Sequence, residues 1–244
     1  MTAVLPDALA PYWLDVAAFV TFLVMFAGYG LLSGMQWLSS RSIVGAMQRQ
    51  RMQWMRNMAV RDNRVVDTIL LGGLGQGNAF FASTSAIAMG GLAAILGSGE
   101  RAQKILETLP FVARSEAFLF ELKIVLMICI FIYAFFKFAW AFRLSHYASI
   151  LIGATPIVGA VPPEAVERHA RATARLIGLA AEHANSGLRS FYAAIAVVAW
   201  FFHPVLFMLT SGWVLAILVR RDFFSRSRAL VASLNDPYVG DGRG

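Results

Sequence analysis

Residues 117–143, AFLFELKIVLMICIFIYAFFKFAWAFR, constrain this chain more than any other stretch. As a helix, 117–136 alone would be roughly 30 Å long, the thickness of a bilayer's hydrocarbon core. Almost every side chain in it is apolar, yet Glu121 and Lys123 lie inside the run and Lys137 follows it. A water-soluble fold has little use for so long an apolar run. A helix facing only lipid has little use for a carboxylate. The stretch therefore predicts a transmembrane helix with Glu121 turned toward other protein.

The rest of the chain agrees with a membrane protein. Of 244 residues, 58% are hydrophobic and only 14% charged, and the mean hydropathy is +0.63. Soluble domains carry about a quarter charged residues. The net charge is +7, but the basic residues flank apolar runs. That placement fits anionic lipid headgroups and the cytoplasmic side of a membrane, and it argues against nucleic acid. Lone Cys129 excludes an intramolecular disulfide and a multi-cysteine metal site, leaving packing as its expected role. The first fifteen residues, MTAVLPDALAPYWLD, lack a basic leader region, so the first span is expected to stay in place as an anchor.

Four spans are expected, at about 14–38, 68–96, 117–142 and 190–219, with 231–244 a disordered tail. The fold class is thus all-α: a polytopic helical bundle with cytoplasmic amphipathic helices. Span one opens with Tyr12 and Trp13, suited to an interfacial aromatic belt. Its Gly30 and Gly34 fit the small-xxx-small pattern of close helix packing. Span two is crowded with Gly72, Gly73, Gly75, Gly77, Gly90 and Gly91, and carries Gln76 and Asn78. Each interior glycine costs roughly 1 kcal/mol relative to alanine, which predicts close backbone contact or, as a second option, a broken helix lining a cavity. Span four carries His203-Pro204 at its middle, where proline predicts a kink.

Between the spans, residues 39–67 hold Arg49, Arg51, Arg56, Arg61 and Arg64 interleaved with Met47, Met52, Trp54, Met55 and Met58. This reads as a basic amphipathic helix capped by Ser39 or Ser40, packed on its own subunit or lying on an anionic membrane surface. Residues 145–161 are short and uncharged, suiting a re-entrant or interfacial segment. Residues 164–185 read as a helix with Pro163 in its first turn. Its His169 and His183 lie about 21 Å apart along the helix, too far for one metal ion. Four spans place both termini outside, which strands the basic tail at Arg220, Arg221, Arg226 and Arg228 on the wrong side.

No catalytic or cofactor motif is visible, and no enzymatic activity or cofactor is expected. The candidate functional polar positions are Gln76, Asn78, Glu121 and His203 within the spans, with Asn185 and Arg189 at the entry to span four. A set of short motifs carries a resemblance: Arg51 to Met55 as R-x-x-W-M, then RDNRVVD, AFFASTSAI, FELK, AFFKFAWAFR, GATP, NSGLRSFY and RRDFFSRS. Together these resemble the four-span membrane proteins grouped as domain of unknown function 599, over nearly all of residues 15–230. The resemblance implies a bacterial inner-membrane protein without an assigned activity. Where that family commonly has asparagine before the tyrosine that follows FAWAFR, this chain has His146. The expected function is non-enzymatic, through assembly or interaction in the membrane, as a homo-oligomer or with a membrane-complex partner. The alternative is a small oligomeric channel or transporter using the buried polar set.

Overall fold

The computed structural model describes residues 12–35, 42–108, 116–157 and 159–234, and every regular element among them is helical. In chain order these are α1 (Trp13–Gly34), α2 (Ile43–Ala59), α3 (Val65–Ser98), α4 (Glu100–Glu107), α5 (Ala117–Gly153), α6 (Pro163–Trp200), α7 (Pro204–Phe223) and α8 (Arg226–Ser233). The all-α bundle is as expected. Four helices, α1, α3, α5 and the one beginning at Pro204, are long and apolar enough to cross a bilayer.

Local chemistry explains the ends. Ser42 caps α2 by accepting from the Gly45 amide; the caps expected at Ser39 and Ser40, and Trp37 at the end of span one, lie outside the described residues. Pro162 and Pro163 start α6, where a missing amide costs nothing. His203 starts α7, its Nδ1 accepting from the Val205 amide at 3.1 Å.

Contacts give each helix its direction. Lys123 of α5 meets the Trp200 carbonyl at 3.1 Å, Tyr133 meets Ser186 at 2.9 Å and His169 meets the Leu151 carbonyl at 2.7 Å, so α5 and α6 are antiparallel. Arg64 donates to the Thr155 carbonyl at the start of α3, and Phe81 stacks on Phe138 further along, so α3 opposes α5. In α1, Asp15 accepts from Trp200 Nε1 at 2.7 Å and Ser33 accepts from Arg189 at 2.6 Å.

The expected kinked span at 190–219 is instead a hairpin. α6 ends at Trp200 and α7 begins at Pro204. Trp200 then stacks on Phe207 at 4.9 Å, while Arg189 reaches Asp222 at 3.6 Å. Proline removes a helix hydrogen bond, and three non-helical residues before it let the chain reverse rather than bend. Five helical segments thus run between two ends of the molecule, and, Lys123 apart, the basic residues of α2, α5, α6 and α7 gather at one of them.

Two other expectations are corrected. Residues 145–153 neither re-enter nor lie flat but continue α5, which at 37 residues outruns a bilayer. The glycines of α3 do not break it, for it runs unbroken over 34 residues. Its packing glycine is Gly75, where an added Cβ would lie 3.6 Å from Ser145 Cβ; at Gly28, Gly30, Gly72, Gly73, Gly77, Gly90 and Gly91 it would meet nothing within 4 Å.

The core has three parts. Ala18, Phe22, Met127, Val197, Trp200, Phe207, Val214 and Leu218 fill the space between α1, α5, α6 and α7. Ala82, Ala134 and Phe138 seat α3 on α5. At the basic end, Met55, Met58, Leu71, Ile152 and Ile177 fix α2 beneath α3, α5 and α6. Where that last cluster borders water, each large side chain contributes about 1.5–3 kcal/mol.

Candidate functional site: a cleft at the basic end

The charged side chains sort into two layers. At the far end, Lys123 is only 3% exposed. It donates to the Trp200 carbonyl, lies 3.8 Å from Asp15 and sits over the Trp200 ring. The last carbonyls of α6 lack intrahelical donors, so an ammonium there closes the helix end while Asp15 balances its charge. Nearer the basic end, Asp222 accepts from Tyr29 at 2.6 Å and from Arg221 at 2.9 Å, and faces Arg189 at 3.6 Å. Arg189 also donates to Ser33 and lies over the Tyr29 ring at 5.1 Å. Along α1, Asp15 and Ser33 are about 27 Å apart by helical rise.

Beside this second layer lies a cleft of about 870 Å³. α1 contributes Phe22, Phe26 and Gly30. α5 contributes Ile130, Tyr133 and Lys137, and α6 contributes His183, Ser186 and Arg189. Of these, the apolar side chains lie toward the middle of the bundle and the polar ones toward the basic end, where Leu31, Val44 and Phe223 add apolar surface and Glu182 and Asp222 add carboxylates. Leu31, 76% exposed, and Tyr133, 49% exposed, flank its mouth. Cys129 also lines the cleft and is exposed, so its role is not core packing.

The structure disperses most of the sequence-derived site. Glu121 is exposed and makes no hydrogen bond or ion pair with any described residue. Residues 121 and 123 project about 200° apart around a helix, so turning Lys123 inward turns Glu121 out. Arg189 is at the opposite end and cannot be its partner. Gln76 is exposed; Asn78 and Asn185 are half-buried and form no side-chain hydrogen bond with described residues. His203 is exposed and acts as the α7 cap. Only Arg189 of that set enters the cleft.

The arginines expected to face lipid headgroups are mostly engaged within the chain. Arg56 forms a bidentate pair with Glu167, which Arg171 also contacts; the two guanidiniums hold the Glu167 carboxyl at about 2. Arg61 and Trp54 share Asp67, which is 1% exposed. Arg64 binds the carbonyls of Thr155 and Pro156. Arg51 is half-buried beside Gln48, and burial lowers its pKa. Arg49 stays exposed. The Arg56–Glu167 pair docks α2 onto α6 and the Trp54–Asp67 bond ties it to α3, so α2 packs on its own subunit.

Sequence reasoning missed Asp15, Tyr29, Tyr133, His183 and Asp222 as partners, and did not place Lys123 or Lys137 among the functional positions. Lone acids at the edges of apolar runs, Asp15 and Asp222, were the available signal. Among the described residues no three His, Cys, Asp or Glu side chains could hold a metal ion.

A family model described as "Protein of unknown function, DUF599" matches residues 17–227. The chain belongs to this family. The DUF599 match contains every named cleft residue and both members of the Arg189–Asp222 pair. Asp15, at the far layer, lies two residues outside it. No curated protein and no solved structure matches the chain.

Proposed function

We propose that this DUF599 protein is a non-enzymatic integral protein of the bacterial inner membrane that acts by binding or assembly within the bilayer. The carrying observation is the separation of its charges into two paired layers with an apolar core between them. Phe22, Val197, Phe207, Val214 and Leu218 are each at most 4% exposed there. A conducting pore needs a polar path through that region, and the described residues supply none. Support for assembly comes from α3. It packs chiefly against α5, and its other side presents Ile69, Phe80 and Ile87 together with glycines that touch nothing. The gathering of arginines at one end supports a cytoplasmic orientation for that end.

The test is purification in native nanodiscs, reading oligomer size and companions together, with ion flux measured in proteoliposomes. A discrete species with a reproducible companion, a second copy or another protein, and no flux is expected. Flux abolished by Lys137→Gln or Arg189→Gln would replace this reading with the channel.

A further inference from the structure

We propose that the cleft between α1, α5 and α6 holds the anionic head and upper chain of a lipid drawn from the leaflet at the basic end. The inference rests on the binding reading above and names the ligand class.

Four observations converge on it. The first is polarity along the cleft. Phe22, Phe26 and Ile130 line the part nearer the bundle centre, while Tyr133, Lys137, His183, Ser186 and Arg189 line the part nearer the basic end. A lipid in that leaflet has the same order, chain toward the centre and head toward the surface.

The second is charge. Lys137 sits over the Tyr133 ring at 5.1 Å and has no carboxylate partner among the described residues. Arg189 spends one nitrogen on Ser33 and directs another at Asp222. Of the two carboxylates on the lining, Asp222 is also compensated by Arg221 and Glu182 lies within electrostatic reach of Arg51, which leaves the Lys137 ammonium to face an incoming anion. A phosphate oxygen would satisfy it, since an ammonium is complementary to that oxygen in charge and in donors.

The third is the neutral polar wall. The Tyr133 and Ser186 hydroxyls, 2.9 Å apart, line the cleft beside the His183 ring, and hydroxyls are ready donors to a phosphate oxygen. The fourth is size and access. A cavity of about 870 Å³ falls within the usual range of ligand pockets. The exposed residues at its mouth, Leu31, Cys129 and Tyr133, let a chain enter sideways from the bilayer.

The experiment is native mass spectrometry of the full chain released from nanodiscs, comparing phosphatidylglycerol with phosphatidylcholine at equal chain length. A parallel arm adds inorganic phosphate to the detergent-solubilised protein and reads thermal stability. One retained phosphatidylglycerol per chain is expected, with retention of phosphatidylcholine weaker. Lys137→Gln should weaken phosphatidylglycerol retention about tenfold, the usual worth of one charge-assisted bond. Arg143→Gln, on the exposed outer side of α5, should leave it unchanged.

Gly30→Leu is the second variant. Its side chain would enter the cleft without meeting any atom at Cβ, so it blocks the chain site while keeping every charge. It should lose the lipid and retain wild-type thermal stability in detergent. Equal loss in Lys137→Gln and Arg143→Gln, or full retention in Gly30→Leu, would overturn the proposal. Inorganic phosphate stabilising the protein as well as phosphatidylglycerol would assign the site to a free anion instead, which also overturns it. Loss of the lipid result with no ion flux leaves the binding reading standing. Flux defeats that reading whatever lipid is retained.

Discussion

Two residues of one helix turn show how position outranks charge. Glu121 is the more conspicuous in an apolar run, yet it faces outward without a partner among the described residues, whereas Lys123 joins α1, α5 and α6 through Asp15 and the Trp200 carbonyl. Removing one member of a buried ion pair strands the other at a cost of about 3–5 kcal/mol. Lys123→Ala should therefore lower the unfolding temperature in detergent sharply, and Glu121→Leu should leave it near wild type; the reverse order would mean that the far-end layer is wrongly described. Glu167 gives a second prediction, on pH. Its carboxyl is held at about 2 in the fold, against an ordinary 4.5, so its contribution is fully present above the ordinary value. That contribution is lost as pH falls from about 4.5 toward 2. The protection of α2 amides, taken against the intrinsic exchange rate at each pH, should fall in that window for wild type. In Glu167→Gln the protection should already be lowered at neutral pH, with a weaker dependence through the window.

At the scale of the helix, glycine content misleads and glycine position informs. α3 carries many glycines, but only Gly75 among its central ones approaches another helix. In α6 the decisive one is Gly187, where a Cβ would fall 2.6 Å from the Phe138 ring. That ring is fixed by Phe81 and Phe191 and has no room to move. Gly187→Ala should cost about 1–3 kcal/mol through overpacking, Gly75→Leu a similar amount, and Gly90→Leu little in the isolated chain. Thermal melts of the three in one detergent measure this, and a Gly90→Leu variant as unstable as Gly187→Ala would contradict the packing described. Gly178 differs in kind, because its neighbour is the end of the Gln48 side chain, which can swing away at the expense of its bond to the Ala174 carbonyl.

For the whole molecule, the break at residues 201–203 decides which side the C-terminus occupies. With α6 and α7 antiparallel, the tail returns to the end that already holds α2 and the start of α6. The basic tail then no longer conflicts with the positive-inside bias. Single cysteines in a Cys129→Ser background test this. Met47→Cys and Phe224→Cys, at positions 36% and 78% exposed, should both resist impermeant thiol reagents in intact cells. Ser98→Cys at the far end should react. Labelling at 224 with protection at 47 would restore an even number of crossings.

Apolar length, arginine placement and the proline pairs were enough, by themselves, to determine a membrane helical bundle with a basic amphipathic helix at one end. These properties follow from what a bilayer and a helix backbone each demand of consecutive residues, so they are written locally. Which residue of Glu121 and Lys123 turns inward could not be read, because a rotation of the helix about its axis exchanges them. Nor could the pairing of Arg189 with Asp222, 33 positions away, or the contact of Gly187 with Phe138. Whether His203-Pro204 bends a helix or reverses it also depended on α1 and α5, which supply the surface that the hairpin covers. The cleft belongs wholly to the tertiary structure: its wall comes from helices far apart in the chain, and its chemistry exists only once their packing brings Lys137, His183 and Arg189 together.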